Sequence, residues 1–245
     1  MVTLNVGATN PREGAVVAYV EQLDADVIVF QEAGVSFAPY APVVARVLAS
    51  GRYTVHVDST AGTDGAGRQV TLSRLPVVSY ESGYLAAPEP RSGVYGRTVV
   101  QWEGQEVAVY NVHLRPFNPE VGWSWERTLD PAIWAETPGN LRDFFAEHAI
   151  EADALARRIE GETVPVIVAG DFNASPDQWS RATLSSTLRE VTGRWLPAAT
   201  RPDETPVVNV DGILVSRDWA VTEASVGPSG LSDHRAVTAA LTQAD

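Results

Sequence analysis

Two runs constrain the fold of this chain more than any other feature: Val27-Ile-Val-Phe-Gln-Glu32 and Val166-Ile-Val-Ala-Gly-Asp171. Each is of strand length and apolar without alternation, the pattern of a strand covered on both faces. Each also ends on a carboxylate. Such strands need a partner layer on either side, and two halves of this kind can pack as sheets face to face with helices outside.

The rest of the chain reads as elements built around these two. Val2 to Val6 is a short strand, and Asn10-Pro11 reads as an N-cap and a first-turn proline opening a helix to about Leu23, with Val16, Val17, Val20 and Leu23 buried. A helix is expected over 40–49, a strand over 52–58, a Gly/Thr/Asp loop over 59–67, and strands over 69–73, 77–84, 97–102 and 106–113. Trp102-Glu-Gly-Gln-Glu106 reads as a hairpin turn. Residues 115–139 carry four Pro and three Trp and read as a long aromatic connection before a helix over 140–161. A strand over 164–170, a short helix from Pro176-Asp177, and strands over 207–216 and 236–241 complete the chain. No compositional shift divides it, so residues 1–245 read as one α/β domain.

Composition narrows the chemistry. All 18 basic residues are Arg, and there is no Lys and no Cys. Schiff-base catalysis, a P-loop lysine, a thiol nucleophile and a thiolate metal site are therefore excluded. The 31 acidic residues give a formal net charge of -13, a field that disfavours non-specific attraction to nucleic acid or an anionic membrane. No apolar run is long enough for a transmembrane helix, and the chain reads as soluble and monomeric. Met1 leads at once into the first strand, which raises the expectation of a native N-terminal signal or anchor; no compartment is assigned.

Polar residues recur where apolar strands end: Asn5, Glu32, Asn111 with His113, Asp171 with Asn173, Asp211, and Asp233-His234. Carboxylates drawn together repel unless a cation sits among them. Oxygen ligands without Cys and with only four His in the chain favour Mg²⁺, with Mn²⁺ or Ca²⁺ as substitutes. Ser232-Asp233-His234 sets an acid beside an imidazole, and a second acid such as Asp211 can orient that ring. His56 sits in a strand without polar company, and His148 in a helix stretch that reads as exposed.

In order along the chain, Thr-Leu-Asn5-Val, Val-Phe-Gln-Glu32, Tyr-Asn-Val-His113-Leu, Gly170-Asp-Phe-Asn173, Val-Asp211-Gly-Ile-Leu-Val-Ser and Leu231-Ser-Asp-His234 resemble the motif set of the endonuclease/exonuclease/phosphatase, or DNase-I-like, superfamily. Leu72-Ser-Arg-Leu-Pro76 resembles one of its internal turns. The resemblance implies a four-layer α/β/β/α fold, a two-sheet β-sandwich flanked by helices on both outer faces, with the site at one edge of the paired sheets. It implies Glu32 as principal metal ligand, with Asn5 and Asp233 close to the ion. His234, paired with Asp211, would act as general base or hold a phosphate oxygen. Asp171 and Asn173 would position the attacking water and a phosphate oxygen, and His113 would stabilise the pentacovalent transition state. Arg97 and Asn111 would contact substrate, and Gly212 after Asp211 would leave a smaller wall beside the site.

The implied reaction is Mg²⁺-dependent hydrolysis of a phosphoester or phosphoanhydride by in-line attack of activated water. The substrate expected from the acidic surface and from Phe117, Trp123, Trp125 and Trp134 is a small or lipid-linked phosphate. A metal-dependent DNA or RNA nuclease is the alternative, and a non-catalytic phosphate-binding module a remote one.

Overall fold

The computed structural model describes residues 1–7, 12–34, 40–58, 69–86, 92–116, 131–192 and 198–244, with backbone alone over 131–141. Its described strands form two six-stranded sheets. The first holds, in spatial order, β11 (Trp219–Val226), β12 (Val237–Gln243), β1 (Val2–Asn5), β2 (Val27–Gln31), β4 (Val70–Ser73) and β3 (Thr54–Val57). The second holds β5 (Val77–Tyr84), β6 (Val94–Trp102), β7 (Gln105–His113), β8 (Val166–Asp171), β10 (Asp211–Val215) and β9 (Arg189–Glu190). The pairing sense is the same across both: antiparallel, antiparallel, parallel, antiparallel, antiparallel. β2 and β8, the two apolar runs, occupy the same place in each, and each forms its sheet's single parallel pair. A parallel pair needs a crossover, supplied by α1 (Glu13–Leu23) in the first sheet and by α3 (Pro131–Glu160) in the second.

Alternation along each strand sorts side chains into three apolar clusters. Val2, Leu4, Ile28 and Phe30 pack outward with Val16 and Val20 of α1 and Val43, Val44 and Val47 of α2 (Pro42–Leu48). Val27, Val29, Val107, Val109, Ile167, Ala169, Ile213 and Val215 meet between the sheets. Tyr110, Val112, Val166, Val168 and Leu214 pack outward with Leu155 and Ile159 of α3 and Leu184 of α4 (Trp179–Leu184). Three clusters separate four layers, the α/β/β/α sandwich expected. At roughly 1.5–3 kcal/mol for each fully buried aliphatic side chain, the double coverage of β2 and β8 explains why neither alternates in sequence.

Several boundaries differ from the expectation. α1 begins at Glu13 with Arg12 at the N-cap position and no side-chain cap bond; Asn10 and Pro11 lie outside the described residues. So do residues 59–67 and Phe117, Trp123 and Trp125. α3 starts at Pro131, not 140, and runs through Pro138-Gly139, where the proline forfeits one intrahelical bond in a helix of 30 residues. β6 starts three residues earlier than expected, at Val94, and β11 was not anticipated. The β6–β7 hairpin is as expected, with left-handed Glu103 and Gly104 (φ 48° and 88°) matching a turn that follows the strand twist.

Candidate active site

The same alternation that buries Val27 and Val29 between the sheets carries the polar strand ends to one edge of that interface. Asn5 pairs in register with Gln31, His113 with Asp171, and Asp171 with Asp211. β10 runs antiparallel to β8, so its first residue lies beside the last of β8. The Asn5 amide joins the sheets: Nδ2 donates to Glu32 Oε1 and to Asp171 Oδ2, both at 3.0 Å, while Oδ1 accepts from the Gly7 N–H at 3.1 Å.

His234 completes the cluster. Its Nδ1 lies 2.8 Å from Asp211 Oδ2, both residues being buried, and its Nε2 faces Asp171 Oδ2 at 3.8 Å and Asp233 Oδ2 at 4.0 Å. Burial pulls the imidazole pKa down, but Asp211 and Asp171 outweigh it and hold the ring up at about 9. For Asp171, burial is outweighed by His234 and His113, so its carboxyl stays below the usual range and is ionised at neutral pH. His113 Nε2 is 3.9 Å from Glu32 Oε1 and 3.7 Å from Asp171 Oδ2 and has no hydrogen-bond partner.

The backbone is shaped for these positions. Glu32 and Asn173 both have left-handed φ, 51° and 47°, a conformation tolerated by Asn and unfavourable for Glu. Asn173 is fixed by its N–H to Asp171 Oδ1 at 2.8 Å and its Nδ2 to the Leu114 carbonyl at 2.9 Å. A Cβ at Gly170 would lie 1.9 Å from the Val112 carbonyl oxygen, so only glycine lets β8 approach β7 there.

Of the residues singled out in the sequence, Asn5, Glu32, His113, Asp171, Asn173, Asp211 and His234 come together, with Asp233 exposed at the rim. Arg97 and Asn111 do not join this cluster. Arg97 sits opposite Tyr110 on the outer face of the second sheet, where Glu162 takes its guanidinium (Nη2 to Oε2, 2.8 Å). Asn111 is buried between the sheets, donating to the Phe30 and Val70 carbonyls and accepting from Gln31 Nε2 at 2.7 Å, so its amide is engaged in joining the sheets. Gly212 opens no space in the site either. It faces outward, and its missing Cβ is where the Arg181 guanidinium lies, 2.0 Å from the position a Cβ would take.

Arg181 went unnoticed in the sequence. It is fully buried, binds both Glu190 oxygens (3.1 and 2.9 Å), and donates to the carbonyls of Ala174, Asn209 and Asp211, tying the turn after Asp171 to the start of β10. Glu151 of α3 likewise holds the Gly93 and Arg115 N–H groups beside the end of β7, at 2.7 and 2.9 Å. His148 is not exposed but buried, its Nδ1 2.9 Å from Ser180 Oγ. Helical spacing marks all three only in hindsight, since charged and imidazole groups read as solvent-facing.

A hard divalent cation fits this donor set. Among the described residues, Asp171, Asp211 and His234 place three ligand atoms within 4.8 Å of one another. Asp211 and His234 Nδ1 already satisfy each other at 2.8 Å, so the oxygens open to a cation are those of Glu32, with Asp171 and Asp233 nearby. Buried His113 Nε2 has no hydrogen-bond partner among the described residues, and an unpaired buried polar group of this kind is rare outside functional sites.

The model of the endonuclease/exonuclease/phosphatase family matches residues 2–234. The chain belongs to this family. It is a family of generally hydrolytic enzymes acting on phosphoester bonds, generally dependent on metal. No curated protein sequence matches the chain. Among solved structures of similar fold are an endonuclease/exonuclease/phosphatase from Bacteroides vulgatus (16% identity, 99% of this chain and 98% of that one, TM-score 0.71) and the mannosyl-6-phosphatase of Bacteroides thetaiotaomicron (14%, 98% and 98%, 0.69). A third is D. rerio TDP2 complexed with a single-strand DNA product (14%, 99% and 98%, 0.70). At these identities the likeness speaks to the fold, which the endonuclease/exonuclease/phosphatase architecture of the two sheets shares.

Proposed function

We propose that this protein is a Mg²⁺-dependent phosphohydrolase that cleaves a small or lipid-linked phosphoester by in-line attack of water. The observation that carries this reading is the buried Asp211–His234 pair set against Asp171 beside the Glu32–Asn5 bridge. Glu32 would hold the ion, with Asp233 beside it and Asn5 fixing the carboxylate, and a bound Mg²⁺ supplies Lewis-acid polarisation of the phosphoryl group. His234, kept cationic at neutral pH with Nδ1–H on Asp211, would donate from Nε2 to a phosphoryl oxygen. Asp171, ionised and 3.8 Å from that nitrogen, would accept a proton from the attacking water. His113 and Asn173 flank it and would offset charge building on the phosphoryl oxygens. No covalent intermediate is needed.

Nuclease activity is the second reading, favoured by the likeness to a DNA-bound fold relative. The test is hydrolysis of a phosphomonoester and phosphodiester panel, including lipid phosphates, beside plasmid nicking, each with and without Mg²⁺. Turnover of small or lipid-linked phosphates above that of DNA is expected; faster turnover of DNA would replace this reading with the nuclease one.

A further inference from the structure

The lip of the site is a hairpin stapled to the His234 loop. Thr200 Oγ1 accepts the Val210 and Asp211 N–H groups, the Arg235 N–H donates to the Thr200 carbonyl at 2.9 Å, and the Asp203 N–H donates to the Asp233 carbonyl at 3.0 Å. Buried Asp203 locks the turn further, accepting from the Gly230 N–H at 2.7 Å and from Arg12 Nη1 at 3.1 Å. Within this rigid hairpin Arg201 and Val208 lie directly opposite, exchanging both backbone hydrogen bonds, so their side chains share one face.

From that face Arg201 reaches the rim of the site. Arg201 Nη2 is 3.1 Å from Asp233 Oδ2, and the same oxygen is 4.0 Å from His234 Nε2, so a single carboxylate oxygen separates the guanidinium from the imidazole. Arg201 is 43% exposed and Asp233 59%, and an exposed ion pair of this kind yields readily to a better anion. Val208 beside it is also exposed, at 42%. The lip thus offers a planar cation next to an aliphatic surface, one group's width from where the phosphoryl oxygen would be held.

Resting on the phosphohydrolase reading, we infer that Arg201 selects substrates whose leaving group carries a second anionic group, phosphate or carboxylate, with Val208 packing on the carbon skeleton between the two. A fork-shaped guanidinium suits either anion, and in a chain without Lys such a contact falls to Arg.

The test is a matched series on one skeleton: phenyl phosphate, 3-carboxyphenyl phosphate and 1,3-phenylene bisphosphate, assayed with Mg²⁺ on the full chain. Wild-type protein is expected to show kcat/KM about tenfold or more higher for whichever compound with a second anionic group fits, carried mainly by KM. Arg201→Gln should collapse that ratio toward one, whatever it does to phenyl phosphate, and Arg201→Lys should restore part of it. A ratio that Arg201→Gln leaves unchanged, or no preference in the wild type while phenyl phosphate is turned over, overturns the inference and leaves the phosphohydrolase reading standing. Absence of turnover on all three and on the wider panel removes both.

Discussion

At the scale of single residues, position on the inner face decides which polar groups take part in chemistry. Asn5, His113, Asp171 and Asp211 all point between the sheets at one edge, and the Asn5 amide donates to carboxylates from both sheets. Asn5→Ala is expected to lower kcat by about 10²-fold while costing only about 1–2 kcal/mol of stability, because the two carboxylates lose their common donor. Steady-state kinetics and urea melts on the same variant separate these effects. His148 gives a different signal. Burial holds its pKa down at about 4 in the folded protein, below its ordinary 6.5. Between those values the unfolded chain binds a proton that the folded one does not, so stability is fully present above pH 6.5 and is lost as pH falls toward 4, by about 2–3 kcal/mol. His148→Gln should flatten the urea-midpoint profile over that window. An equally steep decline in the variant would assign the acid sensitivity to other groups.

At the scale of elements, the turn after β8 and the start of β10 are held in place by α4. Arg181 reaches from that helix to the Ala174, Asn209 and Asp211 carbonyls with Glu190 as counter-ion, and Gly212 leaves the space it occupies. Removing one partner strands a buried charge, so Arg181→Met or Glu190→Ala should each cost about 3–5 kcal/mol, and Gly212→Val should fail in the same way. Chemical denaturation of each variant checks this, and a loss below about 1 kcal/mol would show that the guanidinium is not the tie it looks to be. The sequence made the site's strand ends legible because each sits at the end of an apolar run. Arg97 misled for a reason of parity: it pairs with Tyr110, an odd number of residues from His113, and so faces away from it. Asn111 shares the parity of His113 but lies two residues inside the interface, where Gln31 and two carbonyls consume it. Arg181 and Glu151 escaped notice, and His148 read as exposed, because a buried charge or imidazole has no sequence signature apart from the partners that stabilise it.

At the scale of the whole molecule, two sheets of the same pairing pattern meet so that each contributes to one cluster. The paired apolar runs made this layering legible, and the ordered motifs made the family legible. The long crossover to β8 was harder to read, because Pro138-Gly139 argues locally for a break that the helix overrides. Among the described residues no helix is long and apolar enough to cross a membrane. The formal charge of -13 also takes on a local meaning, since Glu32, Asp171, Asp211 and Asp233 crowd one edge and suit a cation there. The most direct measurement is phosphoester hydrolysis by wild-type protein, Glu32→Ala and His234→Ala, each with Mg²⁺ and with EDTA. Metal-dependent turnover by the wild type that falls by about 10³-fold or more in each variant is expected. Turnover that survives EDTA, or that persists in either variant, would contradict a metal-assisted site built on Glu32 and His234.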